Sequence, residues 1–182
     1  KLSKALNLID KAKKAGASAV KFQLFNPNTL GRKSDLRKVK IFKKMKSETR
    51  YEMWNRLRFK KKWIRKINNK CKYLKIDLGF SVFDEESLDL IKKIKPKFLK
   101  IASSDLTDVY LIKQIMLSKI KLILSTGMAN TEEIKKTTTL LNNYDYVLLH
   151  CVSLYPTEYE KVNLSRMIKL KKLHKHIGFS DH

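Results

Sequence analysis

The feature that most constrains this chain is an alternation of short apolar runs with amphipathic helical stretches, clearest from residue 78 onward. Strands are expected at residues 78–83, 98–102, 121–125, 145–151 and 176–179, and helices at 85–94, 108–117, 131–142 and 164–173. A strand that is apolar throughout is covered on both faces, and strand–helix–strand succession makes neighbouring strands parallel. Upstream, Leu2, Ala5, Leu6, Leu8, Ile9 and Ala12 fall at helical spacing, and Gly16 follows as a stop. Residues 18–23 read as one further strand. Residues 24–46 lack a period and hold turn signals at Asn26-Pro27-Asn28 and Gly31, which marks a functional loop. Residues 47–74 read as a long basic helical stretch broken near Phe59. Asn130 or Thr131, followed by Glu132 and Glu133, caps a helix start.

Two architectures fit parallel strands of this kind, a doubly wound sheet and a β/α barrel. What ends the strands favours the barrel. Lys21 and Gln23, Ser81, Lys100 and Ser103, Ser125 and Thr126, His150 and Ser153, and Ser180, Asp181 and His182 are all polar and all at C-terminal strand ends. Ser81, Ser103, Ser125, Ser153 and Ser180 recur at spacings of 22, 22, 28 and 27 residues. A doubly wound sheet needs polar ends only near its switch point, whereas every barrel strand can reach one central mouth. No glycine-rich dinucleotide or Walker loop supports the sheet alternative. Only six such strands are present, so residues 1–182 are expected to be part of an eight-stranded TIM barrel that lacks its first strand and its C-terminal part. The chain begins with Lys1 rather than Met, which fits a piece of a longer protein.

Composition bounds the rest. Hydrophobic residues make up 43% of 182 residues, a globular balance sufficient for one sizeable core. The two cysteines, Cys71 and Cys151, are far apart and fit a reducing cytoplasm rather than a disulfide framework. No apolar run is long enough to span a membrane, and no signal peptide is visible. The net charge of +24 attracts polyanions in a general way. Yet the lysines, among them Lys11, Lys13, Lys14, Lys60 to Lys62, Lys135, Lys136, Lys171 and Lys172, are spread over outer helix faces without a recognisable nucleic-acid motif. A solvated surface, with no nucleic-acid or membrane partner, is the expectation.

Lys100 lies inside an apolar strand, between Leu99 and Ile101. Desolvating an ammonium costs several kcal/mol, so an anion is expected beside it. Lys21 repeats the arrangement in the first strand. Two lysines and the hydroxyls of Ser81, Ser103, Ser125 and Ser180 gathered at one mouth describe a site for phosphate or carboxylate. His182, after Ser180-Asp181, is a candidate metal ligand or acid–base group, and His150 a candidate orienting or ligating group. His174 and His176 read as solvated in a basic turn. Cys151 lacks a Cys-His-Asn set and reads as a buried thiol. Tyr155-Pro156-Thr157 forms a rigid turn in which Tyr155 is a substrate wall or hydrogen-bond donor.

With those strand ends in place, the chain resembles the N-acetylneuraminate (sialic acid) synthase family, including legionaminate, pseudaminate and spore-coat polysaccharide synthases. The carrying segments are residues 15–23, Gly79-Phe80-Ser81-Val82-Phe83-Asp84, Lys100-Ile101-Ala102-Ser103-Ser104-Asp105, Leu124-Ser125-Thr126-Gly127-Met128, residues 148–157 and Gly178-Phe179-Ser180-Asp181-His182. The resemblance implies a β/α barrel that condenses phosphoenolpyruvate with an N-acylated amino sugar such as N-acetylmannosamine, giving a nonulosonic acid and phosphate. It implies that Lys21, Ser81, Lys100, Ser103, Ser125 and Ser180 hold phosphoenolpyruvate. Ser153 stands where many members have an asparagine to the same ligand. Gln23 and Tyr155 would face the sugar, with Lys100, Lys21 and His182 as the catalytic set. His182 would be one of two histidines on a divalent metal, typically Mn2+, the second lying outside this chain. The resemblance also implies a homodimer for the full-length protein and little activity for this segment alone. The competing readings are a polyanion-binding basic module, and an aldolase-type barrel with a Schiff-base lysine at Lys100 or Lys21.

Overall fold

A computed structural model describes residues 1–31, 34, 38–39 and 47–182. Helix α1 (Leu2–Lys14) leads into β1 (Ala19–Leu24) and a single helical turn, α2 (Pro27–Leu30), capped by the Asn26 side chain. The two-residue strands β2 (Lys38–Val39) and β3 (Glu48–Thr49) pair antiparallel. Residues 32–33, 35–37 and 40–46 of the expected functional loop lie outside the described residues. The basic stretch is two helices, α3 (Arg50–Leu57) and α4 (Ile64–Leu74), separated near Phe59 as expected and joined through a 3₁₀ turn at Lys61–Trp63. Thr49 and Glu52 close a reciprocal capping box at the start of α3.

From there strands and helices alternate without exception. They are β4 (Asp77–Val82), α5 (Glu85–Lys92), β5 (Phe98–Ile101), α6 (Val109–Ser118), β6 (Leu122–Ser125), α7 (Thr131–Leu140), β7 (Tyr146–Cys151), α8 (Arg166–Lys171) and β8 (Ile177–Ser180). Asp84, Asp108 and Asn130 cap α5, α6 and α7 through their side chains, so three of the strand-to-helix loops end in the residue that starts the next helix.

The six long strands form one parallel sheet in the order β1-β4-β5-β6-β7-β8. The order never reverses, so these strands hold no switch point of the doubly wound kind. β1 and β8 are its edges, and the six strands by themselves make an open sheet rather than a closed eight-stranded barrel.

The two faces of the sheet differ. On the helix side Phe80, Val82, Leu99, Ile101, Leu122, Leu124 and Leu148 are fully buried, packed with Ile9, Ile67, Ile91, Ile112 and Ile115 from the helices. The other face carries Phe98, Ile123, Val147 and Leu149, all half-buried, and above them the polar strand ends. Gly79 lets the Phe98 ring lie across this face, since a Cβ there would sit 2.2 Å from the ring. The ten lysines assigned to outer faces are exposed. Among the described residues no helix is long and apolar enough to cross a membrane.

Leu99 and Lys100 are adjacent but face opposite sides. Leu99→Ala is expected to lower stability by about 2–5 kcal/mol by opening a cavity among fully buried neighbours. Lys100→Ala, which removes from the other face a cation that has no ion-pair partner among the described residues, should cost less than about 1 kcal/mol. Urea denaturation of both variants measures the difference, and equal losses would contradict the assignment of faces.

Candidate active site

In a parallel sheet, residues in register point to the same side. Lys21 pairs with Gly79, Gln23 with Ser81, Ser81 with Lys100, Ser125 with Leu149, and Cys151 with Ser180. These polar ends therefore share the face that lacks helices, His150 excepted. Lys21 and Gln23 from β1, Ser81 from β4, Lys100 from β5, Ser125 from β6 and Ser180 from β8 line one depression of about 480 Å3. Ser103, Ser153, Tyr155 and His182 complete its rim from the loops that follow the strands. The ten residues to which the family resemblance gives a role thus meet at one cavity, whereas His150, also a candidate, does not. A larger depression of about 690 Å3 lies at the opposite end of β7 and β8, near Asp145, His174 and His176.

The cavity is electrically one-sided. The Lys21 ammonium donates to the buried Ser81 hydroxyl at 3.0 Å. Among the described residues no carboxylate reaches ion-pair distance of Lys21 or Lys100. Lys21 is exposed as a residue, yet desolvation and then the neighbouring charge of Lys100 lower its pKa to about 8. Lys100 is lowered as well, chiefly by burial, against the opposing pull of Cys151 and Asp105. Ser125 Oγ is buried and has no hydrogen-bond partner among the described residues. A hydroxyl left so is costly unless a ligand completes it. Among the described residues no carboxylate pairs with Lys100, although the charge of Asp105 acts on it.

Loop contacts fix the rim. Ser103 Oγ accepts the Gly127 amide hydrogen at 3.0 Å and lies 3.1 Å from Cys151 Sγ. The Arg166 guanidinium donates to the Ala129 carbonyl at 2.7 Å, tying α8 to the loop after β6. Thr126 is buried and its hydroxyl donates to the Leu149 carbonyl at 3.0 Å. Arg166 and the amide of Gly127 were not expected from the sequence. A lone arginine in a basic helix carries no local signal, and a backbone N–H has none in a sequence.

The histidines divide. His182 Nδ1 lies 2.6 Å from the Val152 carbonyl, which can only accept, so that nitrogen carries the hydrogen. In the neutral ring Nε2 then carries one lone pair, toward which the Tyr155 and Ser180 hydroxyls both lie at 3.3 Å. The Tyr155 ring stacks on His182 with centroids 4.3 Å apart. A neutral imidazole with a carbonyl on the far nitrogen suits metal ligation. Among the described residues, however, no three His, Cys, Asp or Glu side chains group as a metal site. His150 faces away from the cavity. It is buried on the helix side, its Nε2 donates to the Val162 carbonyl at 2.7 Å, and its Nδ1 is without a partner among the described residues. His174 is not solvated as expected: it stacks on Tyr146 at 3.8 Å and donates to the Tyr146 carbonyl at 2.9 Å. Its neighbour His176 is exposed, as expected.

Known proteins resemble this chain in sequence and in fold. The N,N'-diacetyllegionaminic acid synthase of Legionella pneumophila is 35% identical over 191 residues, covering 100% of this chain and 53% of its own length. The N-acetylneuraminate-9-phosphate synthase of Drosophila melanogaster is 32% identical, covering 98% of this chain and 49% of its own. The chain thus spans about half the length of the curated relatives it matches. A crystal structure of the N-acetylneuraminic acid synthetase of Leptospira borgpetersenii, solved with citrate, superposes with a TM-score of 0.88 at 30% identity, over 100% of this chain and 60% of that one. The NeuB family itself matches residues 8–182, nearly the whole chain, and the chain belongs to that family.

Proposed function

We propose that this chain is part of a β/α barrel that condenses phosphoenolpyruvate with an N-acylated amino sugar to give a nonulosonic acid and phosphate. The carrying observation is the cavity in which Lys21 and Lys100 converge with Ser81, Ser103, Ser125 and Ser180, without a neutralising carboxylate among the described residues. Family membership narrows the anion to the substrates of sialic-type synthases. The half-buried layer of Phe98, Ile123, Val147 and Leu149 supports barrel closure, because further strands would cover it as a barrel interior.

In this reading the ammonium groups of Lys21 and Lys100 neutralise the phosphate and carboxylate of phosphoenolpyruvate, and the four serine hydroxyls donate to their oxygens. Ser153 adds a contact at the rim. Gln23 and Tyr155 face the sugar in its open aldehyde form. His182 Nε2, together with a second histidine elsewhere in the protein, would hold a divalent ion, Mn2+ by the family pattern, which would supply Lewis acidity toward the aldehyde oxygen. The enol carbon bonds to the aldehyde carbon, and the cationic centre left at C2 takes up water. Loss of phosphate then leaves the 2-keto acid. Lys21 and Lys100 stabilise the negative charge on the departing phosphate, and the rigid strand ends hold the reacting groups in line. The working protein is a cytoplasmic homodimer of the longer chain.

A binding module driven by the +24 charge would need no such cavity, and a Schiff-base enzyme would need one lysine to bond covalently to its substrate. The full-length protein should release phosphate from phosphoenolpyruvate only when both a hexosamine-type sugar and Mn2+ are present, and Lys100→Ala should remove at least about 99% of that rate. Sugar-independent release, or reductive trapping of a lysine–substrate adduct, would count against condensation.

Lys21 also predicts a pH dependence. Its pKa of about 8 means that it is charged below that pH and neutral above it. Phosphoenolpyruvate has almost completed its ionisation by about pH 8, so its binding should weaken as pH rises beyond the Lys21 pKa of about 8. Lys21→Arg, which keeps its charge, should flatten the alkaline limb. Calorimetric titration through that pH measures both, and a profile that Lys21→Arg leaves unchanged would assign the limb to another group.

A further inference from the structure

Ser103 is held from two sides, and the two contacts together decide where its hydrogen can go. Its Oγ accepts the Gly127 amide hydrogen at 3.0 Å and sits 3.1 Å from the Cys151 thiol. Cys151 is 1% exposed and, in register with Ser180, faces the cavity side of the sheet. A serine hydroxyl has one hydrogen and two acceptor lone pairs. The Gly127 amide fills one lone pair. A thiol hydrogen directed at Oγ fills the other, and the hydroxyl hydrogen is left to point into the cavity. The opposite polarity would commit the hydroxyl hydrogen to sulfur, a weak acceptor, and aim a lone pair at the space in front of two ammonium groups. An anionic oxygen in that space is a far stronger acceptor than sulfur and selects the first polarity.

We propose that Cys151 is a positioning residue whose S–H donates to Ser103 Oγ, making the Ser103 hydroxyl an obligate donor to an anionic oxygen in the cavity. The inference rests on the reading of that cavity as a phosphoenolpyruvate site. Gly127 belongs to the same device. A Cβ at Gly127 would lie 2.8 Å from Cys151 Sγ, from the Cys151 carbonyl oxygen and from Ser153 Oγ, so a glycine is what lets the amide approach Ser103. Arg166 steadies the loop that carries the amide, through the Ala129 and Thr126 carbonyls at 2.7 and 3.5 Å.

Phosphoenolpyruvate binding to the full-length protein, measured by calorimetry, tests this with Ser103→Ala, Cys151→Ala, Cys151→Ser and the double variant Ser103→Ala/Cys151→Ala. Cys151→Ala should weaken binding about five- to tenfold. Cys151→Ser, which keeps a donor, should stay within about threefold of the wild type. The double variant should bind no more weakly than Ser103→Ala alone, because Cys151 acts only through that hydroxyl. Loss of packing would produce neither the rescue nor the non-additivity. If Cys151→Ala does not fold, the infrared S–H band of the wild type, identified by its loss in Cys151→Ser, decides. A shift on adding phosphoenolpyruvate supports the proposal and an unmoved band overturns it. Wild-type affinity in Cys151→Ala, or a further loss on adding it to Ser103→Ala, overturns the positioning role and leaves the phosphoenolpyruvate site standing. A wild-type protein that binds no phosphoenolpyruvate overturns both.

Discussion

Two ammonium groups sit on one face of a parallel sheet among hydroxyls, and no carboxylate of the described residues reaches ion-pair distance of either. Lys21 donates to Ser81, Lys100 stands in register with that serine, and the charge of Lys100 is felt by Lys21. Such an arrangement opposes folding, because both cations are partly desolvated and repel. It persists because the other face of the same strands is fully buried. Leu99 and Ile101 flank Lys100 in sequence and are sealed among the helices, so the backbone that carries the lysine cannot relax away from its neighbour. Apolar burial on one side of the sheet thus sustains an unfavourable charge distribution on the other, which only an anion resolves.

The sheet is graded along the strands as well as across them. Near their N-terminal ends the inner positions are Phe98, Ile123 and Val147, and toward their C-terminal ends they become Ser81, Lys100, Ser125 and Cys151. The loops beyond continue the trend. Asp84, Asp108 and Asn130 each bind the first free amides of the following helix, so side chains leaving the strand ends are held by rigid elements on both sides. Ser103 illustrates the effect. It lies just past β5, yet contacts from the loop after β6 and from the end of β7 leave its hydroxyl few directions.

Much of this was legible in the residue order. Strand–helix alternation survives in any sequence whose strands are buried on both faces, and the expected elements from residue 78 onward match those observed with ends shifted by a few residues. The polar strand ends were legible for the same reason: a lysine or serine closing an apolar run is conspicuous. His150 and His182 show the limit. Both follow apolar strands, but alternation along β7 turns His150 toward the helices while the turn after β8 brings His182 to the rim. His174 was hidden too, because stacking on Tyr146 joins residues 28 positions apart.

The sequence by itself determined the parallel α/β class, the end of the sheet at which polar groups collect, and the residues that collect there. Those properties depend on apolar periodicity and strand polarity, which are local. Only the tertiary structure decided the strictly sequential strand order, the face on which each side chain lies, the unpartnered Ser125 hydroxyl, and the meeting of Gly127, Ser103 and Cys151. Those depend on register between strands and on distances between backbone and side chain across separate loops. No local pattern encodes them, because a shift of one residue in pairing would leave the composition of every strand unchanged while turning each side chain to the opposite face.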